Sequence, residues 1–365
     1  MKALLAGFVS AIVLLSSSPV GAVDDAGFEV VFGDVHTHTR YSDGASGSPG
    51  DAFAAARVAG ADFMATSDHN FMLTDEEWEL SKQQGEAATT RDFSAIVASE
   101  YWLTNGYGEV IVFGVDELRN KANFRSPGAA LSRHQVIPAF LDWLATEGGL
   151  GIWPHPGVYG DLDEFDHWTP ARDVAMVGVE IHNYGSFLGA PANWGVHDYE
   201  DQFQLALSRG WHLMPYATSD THAADWIAGS PVRTALLVTE NSPDAVLDAM
   251  RSRRGYATLD QNLAISFSIG EVMMGGSIDP AADAPVTVEV VDPDGPTITR
   301  VELIGAGGAV IDAETPAVPS ASVSWSPSIA GPTPWAYVRV WSLADITGGD
   351  GVVAWTAPIW FEPAG

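Results

Sequence analysis

Short apolar runs alternate with longer amphipathic segments from the amino terminus to about residue 254. The runs have the length of strands, and the segments between them repeat apolar positions at helical spacing. The predicted strands cover residues 28–35, 62–67, 93–99, 150–153, 176–181, 213–218 and 235–238, with an extra strand at 109–115. The predicted helices cover residues 51–59, 75–86, 135–147, 200–209 and 243–253. Repeated strand–helix units favour an α/β fold whose parallel sheet is either open or closed into a barrel.

The pattern changes after Gly255, where helical periodicity stops and short β-rich runs lie between Pro and Gly clusters. These runs cover residues 263–269, 286–291, 297–304, 322–325, 335–341 and 352–355. Short strands separated by turn signals are typical of a β-sandwich. The sequence therefore predicts two domains, residues 26–259 and residues 260–365, of which the second is a small all-β, sandwich-like domain.

The amino terminus has the pattern of a signal peptide. Lys2 precedes an apolar stretch that ends near Leu15, and Val20-Gly21-Ala22 offers small residues for cleavage. The apolar stretch is shorter than a bilayer-spanning helix needs. We expect residues 1–22 to be removed, which leaves a secreted or periplasmic protein without a membrane anchor.

Composition narrows the chemistry available to the chain. Cysteine is absent, so imidazole and carboxylate are the side chains left to bind a metal, a set that suits Zn, Mn or Fe. With 17 Lys and Arg against 47 Asp and Glu, the formal net charge is −30. Such a surface repels phosphate backbones, which argues against a nucleic-acid partner. The sequence leaves the oligomeric state open.

Metal-binding residue types follow six predicted strands at the point where each strand ends. On a strand, residues two apart point to the same side. His36 with His38, and Asp220 with His222, can therefore each direct two ligands into one space. Because the carboxyl ends of parallel barrel strands share one mouth, we expect these side chains to form one site. Each of them alone has an ordinary packing or surface explanation, but their coincidence favours a metal centre. They are His36, His38, Asp43, His69, Glu100, His155, His182, Asp220 and His222.

In chain order, the motifs are His-x-His with a following Ser-Asp-Gly, Asp-His-Asn, a strand-end Glu, two separated His and Asp-x-His. This order resembles the polymerase and histidinol phosphatase (PHP) superfamily over residues 28–259. The resemblance implies a distorted (β/α)7 barrel, the PHP barrel, that holds three divalent metal ions. It assigns one ion to His36, His38, Glu100 and Asp220, a second to Glu100, His155 and His182, and a third to Asp43, His69 and His222. Asp68 is expected to orient its neighbour.

Short motifs in the tail narrow the resemblance. They resemble the CehA/McbA-like branch of PHP metallohydrolases, and they are Gly255-Tyr256-Ala257-Thr258, Arg339-Val340-Trp341 and the closing segment 354–360. The implied activity is hydrolysis by metal-bound hydroxide of a small-molecule ester, in the first place a phosphate mono- or diester.

Two other functions stay open. One is hydrolysis of a carboxylic ester, amide or carbamate, which aromatic side chains near the strand ends would suit: Tyr101, Trp102, Trp153, Trp168 and Trp194. The other is a non-catalytic binding protein whose metals are structural.

Three further residues are candidates for acting on the substrate. Arg40, in the first ligand loop, and Arg233, before the seventh strand, could each fork onto a pair of phosphate oxygens. An ordinary salt bridge is the alternative for both. His197, on the loop after the fifth strand, is a candidate general acid for the leaving group.

Overall fold

The computed structural model describes residues 27–44, 46–103, 107–119, 133–185, 197–281, 283–343 and 350–363. The predicted signal peptide and Trp194 lie outside these residues. No helix within the described ranges has the length and apolar character to cross a bilayer.

Among the described residues, the amino-terminal part of the chain forms six α-helices and one short 3-10 helix, Leu162–Phe165. Two of them begin with capping boxes, in which Ser48 pairs with Asp51 and Thr74 with Glu77. Ser242 caps the last helix through the Ala245 N–H, as its sequence pattern indicates. The short fourth helix was not predicted, since six residues show too little periodicity. The helices are α1 Pro49–Val58, α2 Asp75–Ala88, α3 Arg133–Glu147, α4 Pro170–Ala175, α5 Glu200–Ser208 and α6 Pro243–Arg251.

Ten strands lie in the same part, and most of the predicted strands match them within a few residues. They are β1 Glu29–Asp34, β2 Phe63–Thr66, β3 Ser94–Trp102, β4 Glu109–Phe113, β5 Leu150–Trp153, β6 Met176–Asn183, β7 His197–Asp198, β8 Met214–Thr218, β9 Arg233–Val238 and β10 Gly255–Thr258.

Six of these strands run parallel and carry the predicted site. β1 pairs with β2 and β2 with β3, while β5 pairs with β6 and β6 with β8. β4 lies between β3 and β5 and is antiparallel to both. Beyond the strand ends, the Asp220 N–H donates to the His36 carbonyl (2.9 Å) and the His38 N–H to the Thr221 carbonyl (3.0 Å). The strands therefore curl into a ring at their carboxyl ends.

The ring departs from a regular alternation of strands and helices. β9 runs antiparallel to both β1 and β10, and within the described residues β8 pairs with β6 alone. The predicted mixed α/β fold is confirmed, whereas this pairing does not establish a closed (β/α)7 barrel, which stays a prediction.

The remaining described strands form the β-rich part. They are β11 Ala264–Ile269, β12 Val272–Met273, β13 Ser277–Ile278, β14 Val286–Val291, β15 Ile298–Ile304, β16 Val310–Glu314, β17 Ser322–Trp325, β18 Trp335–Ser342, β19 Gly351–Thr356 and β20 Ile359–Phe361. β12, β11, β14 and β17 make a four-stranded sheet, and β19 pairs with β10, so the larger sheet continues from one part into the other. The predicted boundary at residues 259/260 falls between β10 and β11, and buried apolar side chains form one core across it.

Candidate metal centre

The carboxyl ends of the parallel strands bring eight of the nine predicted ligands into one cluster. These eight share membership in overlapping groups whose nitrogen and oxygen atoms lie within 4.8 Å of one another. We call them the ligand cluster: His36, His38, Asp43, His69, Glu100, His155, Asp220 and His222.

Two imidazoles from the end of β1 face one carboxylate from β3 and one from the end of β8. His36 Nε2 lies 3.2 Å from His38 Nε2. Asp220 Oδ1 lies 3.2 Å from each of these nitrogens, and Glu100 Oε2 lies 3.4 and 3.3 Å from them. Neighbouring ligands on one ion with bonds of about 2.1 Å are about 3.0–3.4 Å apart, so the spacing suits a shared metal.

A second group forms around His155, after β5. Its Nε2 lies 3.1 Å from Glu100 Oε1 and 3.9 Å from Asp220 Oδ2. The two oxygens of Glu100 thus face different imidazoles. The backbone of His155 has φ 26° and that of Asp220 has φ 48°. Non-glycine residues in the left-handed region are uncommon and concentrate at functional sites.

A third group is more open to solvent. Asp43 Oδ1 lies 3.2 Å from His222 Nε2 and 3.6 Å from His69 Nε2, and the Asp43 side chain is 37% exposed. The loop returns Asp43 to the cluster because Gly44 follows closely, where a Cβ would come within 2.6 Å of the Thr39 carbonyl oxygen. The His38 and His222 rings stack with centroids 4.1 Å apart.

His182 is the predicted ligand that these groups do not include. It is 2% exposed, at the carboxyl end of β6. The pairing of β6 with β8 shifts register between Glu180 and His182. In a regular strand, Glu180 and His182 would project from the same face. The bulge between them disturbs this alternation, and of the two it is Glu180 that contacts His36 of the cluster.

Buried carboxylates behind the cluster hold its members in place. Glu180 Oε1 accepts from His36 Nδ1 at 2.7 Å, and its Oε2 accepts from the His155 N–H at 2.6 Å. Asp68 accepts from the Thr39 N–H at 2.7 Å and from the Ser42 hydroxyl at 2.6 Å, which fixes the loop after β1. Such outer contacts orient metal-binding imidazoles. Asp68 thus orients the His36–Asp43 loop, as expected. The contacts of Glu180 were not predicted from the sequence.

Glu109 is a second residue of the site that the strand-end pattern does not include. It opens β4, is 5% exposed, and forms a group with His69 and Glu100. Burial, and then the charge of Glu100, raises the pKa of Glu109 to about 8. The pattern covers the carboxyl ends of strands, whereas β4 reaches this edge with its amino end.

Mutual charges shift the pKa values within the cluster. Burial alone would lower the pKa of His36, but the carboxylates of Asp220 and Glu100 raise it well above its ordinary value. Burial opposes ionisation of Glu100, yet the imidazoles of His36 and His69 hold its pKa well below the usual range. Protons on the imidazoles thus offset the carboxylates, and a bound divalent ion would take their place.

The donor set fits divalent ions. It consists of imidazole nitrogens and carboxylate oxygens, most of them buried, and among the described residues no Lys or Arg forms an ion pair with Asp43, Glu100 or Asp220. Glu109 Oε2 is buried and has no hydrogen-bond partner. These observations support metal ions at the cluster and leave their number and identity open.

The three other candidates differ in their surroundings. Arg40 is exposed, with its guanidinium 5.8 Å from the Tyr41 ring centroid. Arg233 is 4% exposed and donates to the carbonyls of Ser230 (2.8 Å) and Val232 (2.6 Å). The backbone of His197 pairs with Asn183 at the end of β6, and its side chain lies outside the described part.

Comparison with known proteins finds similar solved structures of low sequence identity. No model of a known protein family matches the chain, and no curated protein matches it. A two-domain protein from Bacteroides vulgatus, containing a predicted PHP-like metal-dependent phosphoesterase, is 15% identical, with a TM-score of 0.46 over 93% of this chain and 98% of its own.

Two further structures cover 52% of this chain and 87% of their own. One is a provisionally assigned metal-dependent phosphoesterase from Bifidobacterium adolescentis, with 16% identity and a TM-score of 0.32. The other is an amidohydrolase from Chromobacterium violaceum with bound sulfate and no metal, with 17% identity and a TM-score of 0.34. Membership of the PHP superfamily therefore rests on the resemblance of the sequence motifs.

Proposed function

We propose that the chain is a metal-dependent hydrolase of small-molecule phosphate mono- or diesters. The observation that carries the proposal is the ligand cluster, in which side chains from five strand ends, far apart in sequence, form overlapping groups whose donor atoms lie within 4.8 Å of one another in each group. The order of its motifs, which resembles that of PHP metallohydrolases, supports the same function.

Divalent ions, when bound, would supply an activated water and neutralise charge on the oxygens of the scissile group. The protein side chains would hold and orient those ions. Glu100 contacts imidazoles from three elements, at 3.1 Å from His69 and from His155 and 3.3 Å from His38. It would therefore couple neighbouring ions. Glu180 would keep His36 oriented with its Nε2 towards the cluster.

Charge favours an anionic substrate over a neutral one. The overall charge of −30 repels anions, so the attraction has to be local. Three divalent ions would more than offset the carboxylates of Asp43, Glu100 and Asp220 and leave a positive centre. Substrate contacts by Arg40 and Arg233, and a general acid role for His197, belong to the same proposal. Both arginines would have to leave their present contacts to reach a phosphate.

A carboxylic ester, amide or carbamate is the second candidate substrate, and aromatic rings beside the cluster favour it. Phe71 is 42% exposed, and its ring centroid lies 5.2 Å from that of His69 and 5.3 Å from that of Trp102. The Tyr159 ring lies 5.3 Å from His155. Tyr101 and Trp153 are buried and serve packing.

Export is part of the proposal and rests on the sequence of residues 1–22. The partner of the mature protein would be a small-molecule ester. The domain division at residues 259/260 and the CehA/McbA-like branch are likewise proposed from the sequence patterns. Arg339 and Trp355, from the branch motifs, pack against neighbouring strands and α5, so these motifs bear on packing more directly than on chemistry.

The test compares p-nitrophenyl phosphate, bis(p-nitrophenyl) phosphate and a naphthyl carbamate on one purified sample loaded with Zn²⁺ or Mn²⁺. We expect turnover of a phosphate ester that a chelator abolishes and added metal restores. Turnover of the carbamate alone would favour the second candidate. Metal binding without turnover of any ester would favour a structural role for the ions.

A pair of variants tests whether the cluster carries the activity. We expect His155→Ala to lower kcat/KM at least 100-fold and to remove one metal equivalent with the fold kept. His182→Ala, a matched change at the end of the neighbouring strand, should cost less, since His182 is outside the groups of close ligand atoms. Equal metal loss in both variants would show that the resemblance assigns His182 correctly and the register shift does not exclude it.

A further inference from the structure

Glu109 lies in the wall of the ligand cluster because β4 runs against its neighbours. In the pairing of β3 with β4, Glu109 is opposite Trp102 and Ile111 is opposite Glu100. Residues directly opposite share a face, and so do residues two apart on one strand. Glu109 and Glu100 therefore project from the same face of the sheet, diagonal to each other.

The two oxygens of Glu109 face different imidazoles. Oε1 lies 3.9 Å from His69 Nδ1, and Oε2 lies 3.6 Å from His155 Nε2. These distances exceed a hydrogen bond, and they are within the range of two ligands on one ion after a small side-chain adjustment. Glu100 spans the same two imidazoles at 3.1 Å on each side.

Burial of a carboxylate oxygen with no hydrogen-bond partner sets Glu109 apart from an ordinary core residue. The residue is 5% exposed, and its Oε2 has no hydrogen-bond partner. Within the described ranges, its ion pairs are to His69 and His155 alone. A buried carboxylate oxygen without a hydrogen-bond partner lowers the stability of the fold unless a cation binds it.

We propose that Glu109 is a further metal-ligating side chain, a second carboxylate that spans the ions held near His69 and His155. This inference rests on the proposed function only in its use of bound metals. Neither the strand-end pattern nor the family resemblance assigns a role to this residue. Its place at the amino end of the antiparallel β4 explains why.

A ligand and a purely structural residue make opposite predictions for the metal-free protein. If Glu109 is a ligand, Glu109→Gln replaces a carboxyl group that the ions would bind with a neutral amide of nearly the same shape, so the metal-free variant should be at least as stable as the parent. The same variant should gain less stability from added metal. A structural residue would instead lower the melting temperature in both states.

The experiment uses the full chain, stripped with a chelator and titrated with Zn²⁺. Calorimetry and metal analysis give affinities and equivalents, and thermal unfolding is recorded with and without the ion. For Glu109→Gln, we expect one equivalent to be lost or bound at least tenfold more weakly, with an undiminished metal-free melting temperature. Glu109→Asp, which keeps the charge, should retain more affinity. Glu117→Gln, at an exposed position just beyond β4, is the matched control and should behave as the parent.

Three results would overturn the inference. They are Zn²⁺ binding by Glu109→Gln within threefold of the parent at full stoichiometry, a metal-free variant that is less stable or does not fold, and a parent that binds no Zn²⁺. The last would also remove the proposed function. A parent that binds Zn²⁺ but hydrolyses no ester would refute the proposed function alone, because the metal readouts do not depend on turnover.

Discussion

Two clusters of carboxylates differ in where their positive charge comes from. In the Arg339 cluster, made of Glu200, Glu302 and Arg339, the guanidinium lies between the two carboxylates. Its Nη1 is 2.9 Å from Glu200 Oε2 and its Nη2 is 2.8 Å from Glu302 Oε2. Arg300 adds a second cation 2.7 Å from Glu302, and the Trp341 indole N–H donates to the same carboxylate. The Arg339 cluster joins α5 to β15 and β18, and it is complete within the chain.

The ligand cluster gathers a comparable number of carboxylates but contains no guanidinium or ammonium group among its described neighbours. Its positive charge comes from imidazoles alone, and burial by itself would lower their pKa. Two of its backbones are left-handed, at His155 and Asp220. One set of carboxylates is therefore paired with cations of the chain itself, whereas the other would be paired with the divalent ions that we propose.

The largest effect should follow from Glu100→Gln, which weakens the carboxylate that contacts all three groups. We expect kcat/KM to fall at least 1,000-fold, about 4 kcal/mol of barrier, together with loss of most bound metal. Steady-state kinetics on a phosphate ester and metal analysis would measure this. Glu302→Gln is the counterpart in the Arg339 cluster and should keep its metal. Full metal content in Glu100→Gln would contradict the proposal that the ligand cluster, unlike the Arg339 cluster, binds metal ions.

Arg339→Met should give the next largest effect, on stability. Removing the guanidinium leaves the half-buried Glu200 and the buried Glu302 without this partner, so we expect a loss of about 2 kcal/mol in the free energy of unfolding. Metal content and kcat/KM of the folded variant should stay near those of the parent. Urea unfolding would measure the loss, with Arg91→Met at an exposed position as control. A variant as stable as the parent would mean that the Arg339 cluster is neutral in stability.

The smallest effect concerns Asp62, a carboxylate outside both clusters. Its Oδ2 accepts from the Phe32 N–H at 2.8 Å, and burial raises its pKa from 3.8 to about 6. A raised folded-state pKa contributes stability that is present below pH 3.8 and is lost as the pH rises through 6. Asp62→Asn should therefore raise the free energy of unfolding by about 1 kcal/mol at pH 8, and by less at pH 4.

Melting temperatures of the parent and Asp62→Asn at the two pH values would check this, with the exposed Asp92→Asn as control. A gain of the same size at pH 4 and pH 8 would rule out the titration of Asp62 as its cause.

The sequence predicted the strands of the parallel sheet well because each combines an apolar run with a metal-binding residue type at its end. β5, over residues 150–153, matches the prediction at both ends. Eight of the nine predicted ligands meet in one cluster because parallel strands place their carboxyl ends together. The His155–Glu100 contact, over 55 positions in sequence, follows from that rule.

What the sequence did not give are features set by pairing. Glu109 lies at the site because β4 is antiparallel, and Glu180 faces inward at a register shift that also affects His182. The local pattern of apolar residues predicts neither the direction of a strand nor the position of a bulge. The contacts of Arg233 with backbone carbonyls likewise depend on the loop that precedes β9.

Anomalous X-ray diffraction from crystals grown with Zn²⁺ would show whether the ligand cluster binds metal ions. We expect strong peaks inside the ligand cluster, one of them about 2.0–2.2 Å from His36 Nε2, His38 Nε2 and an Asp220 oxygen. Peaks confined to other acidic groups, such as Asp260, Asp292 and Asp294, with none between the imidazoles, would contradict it.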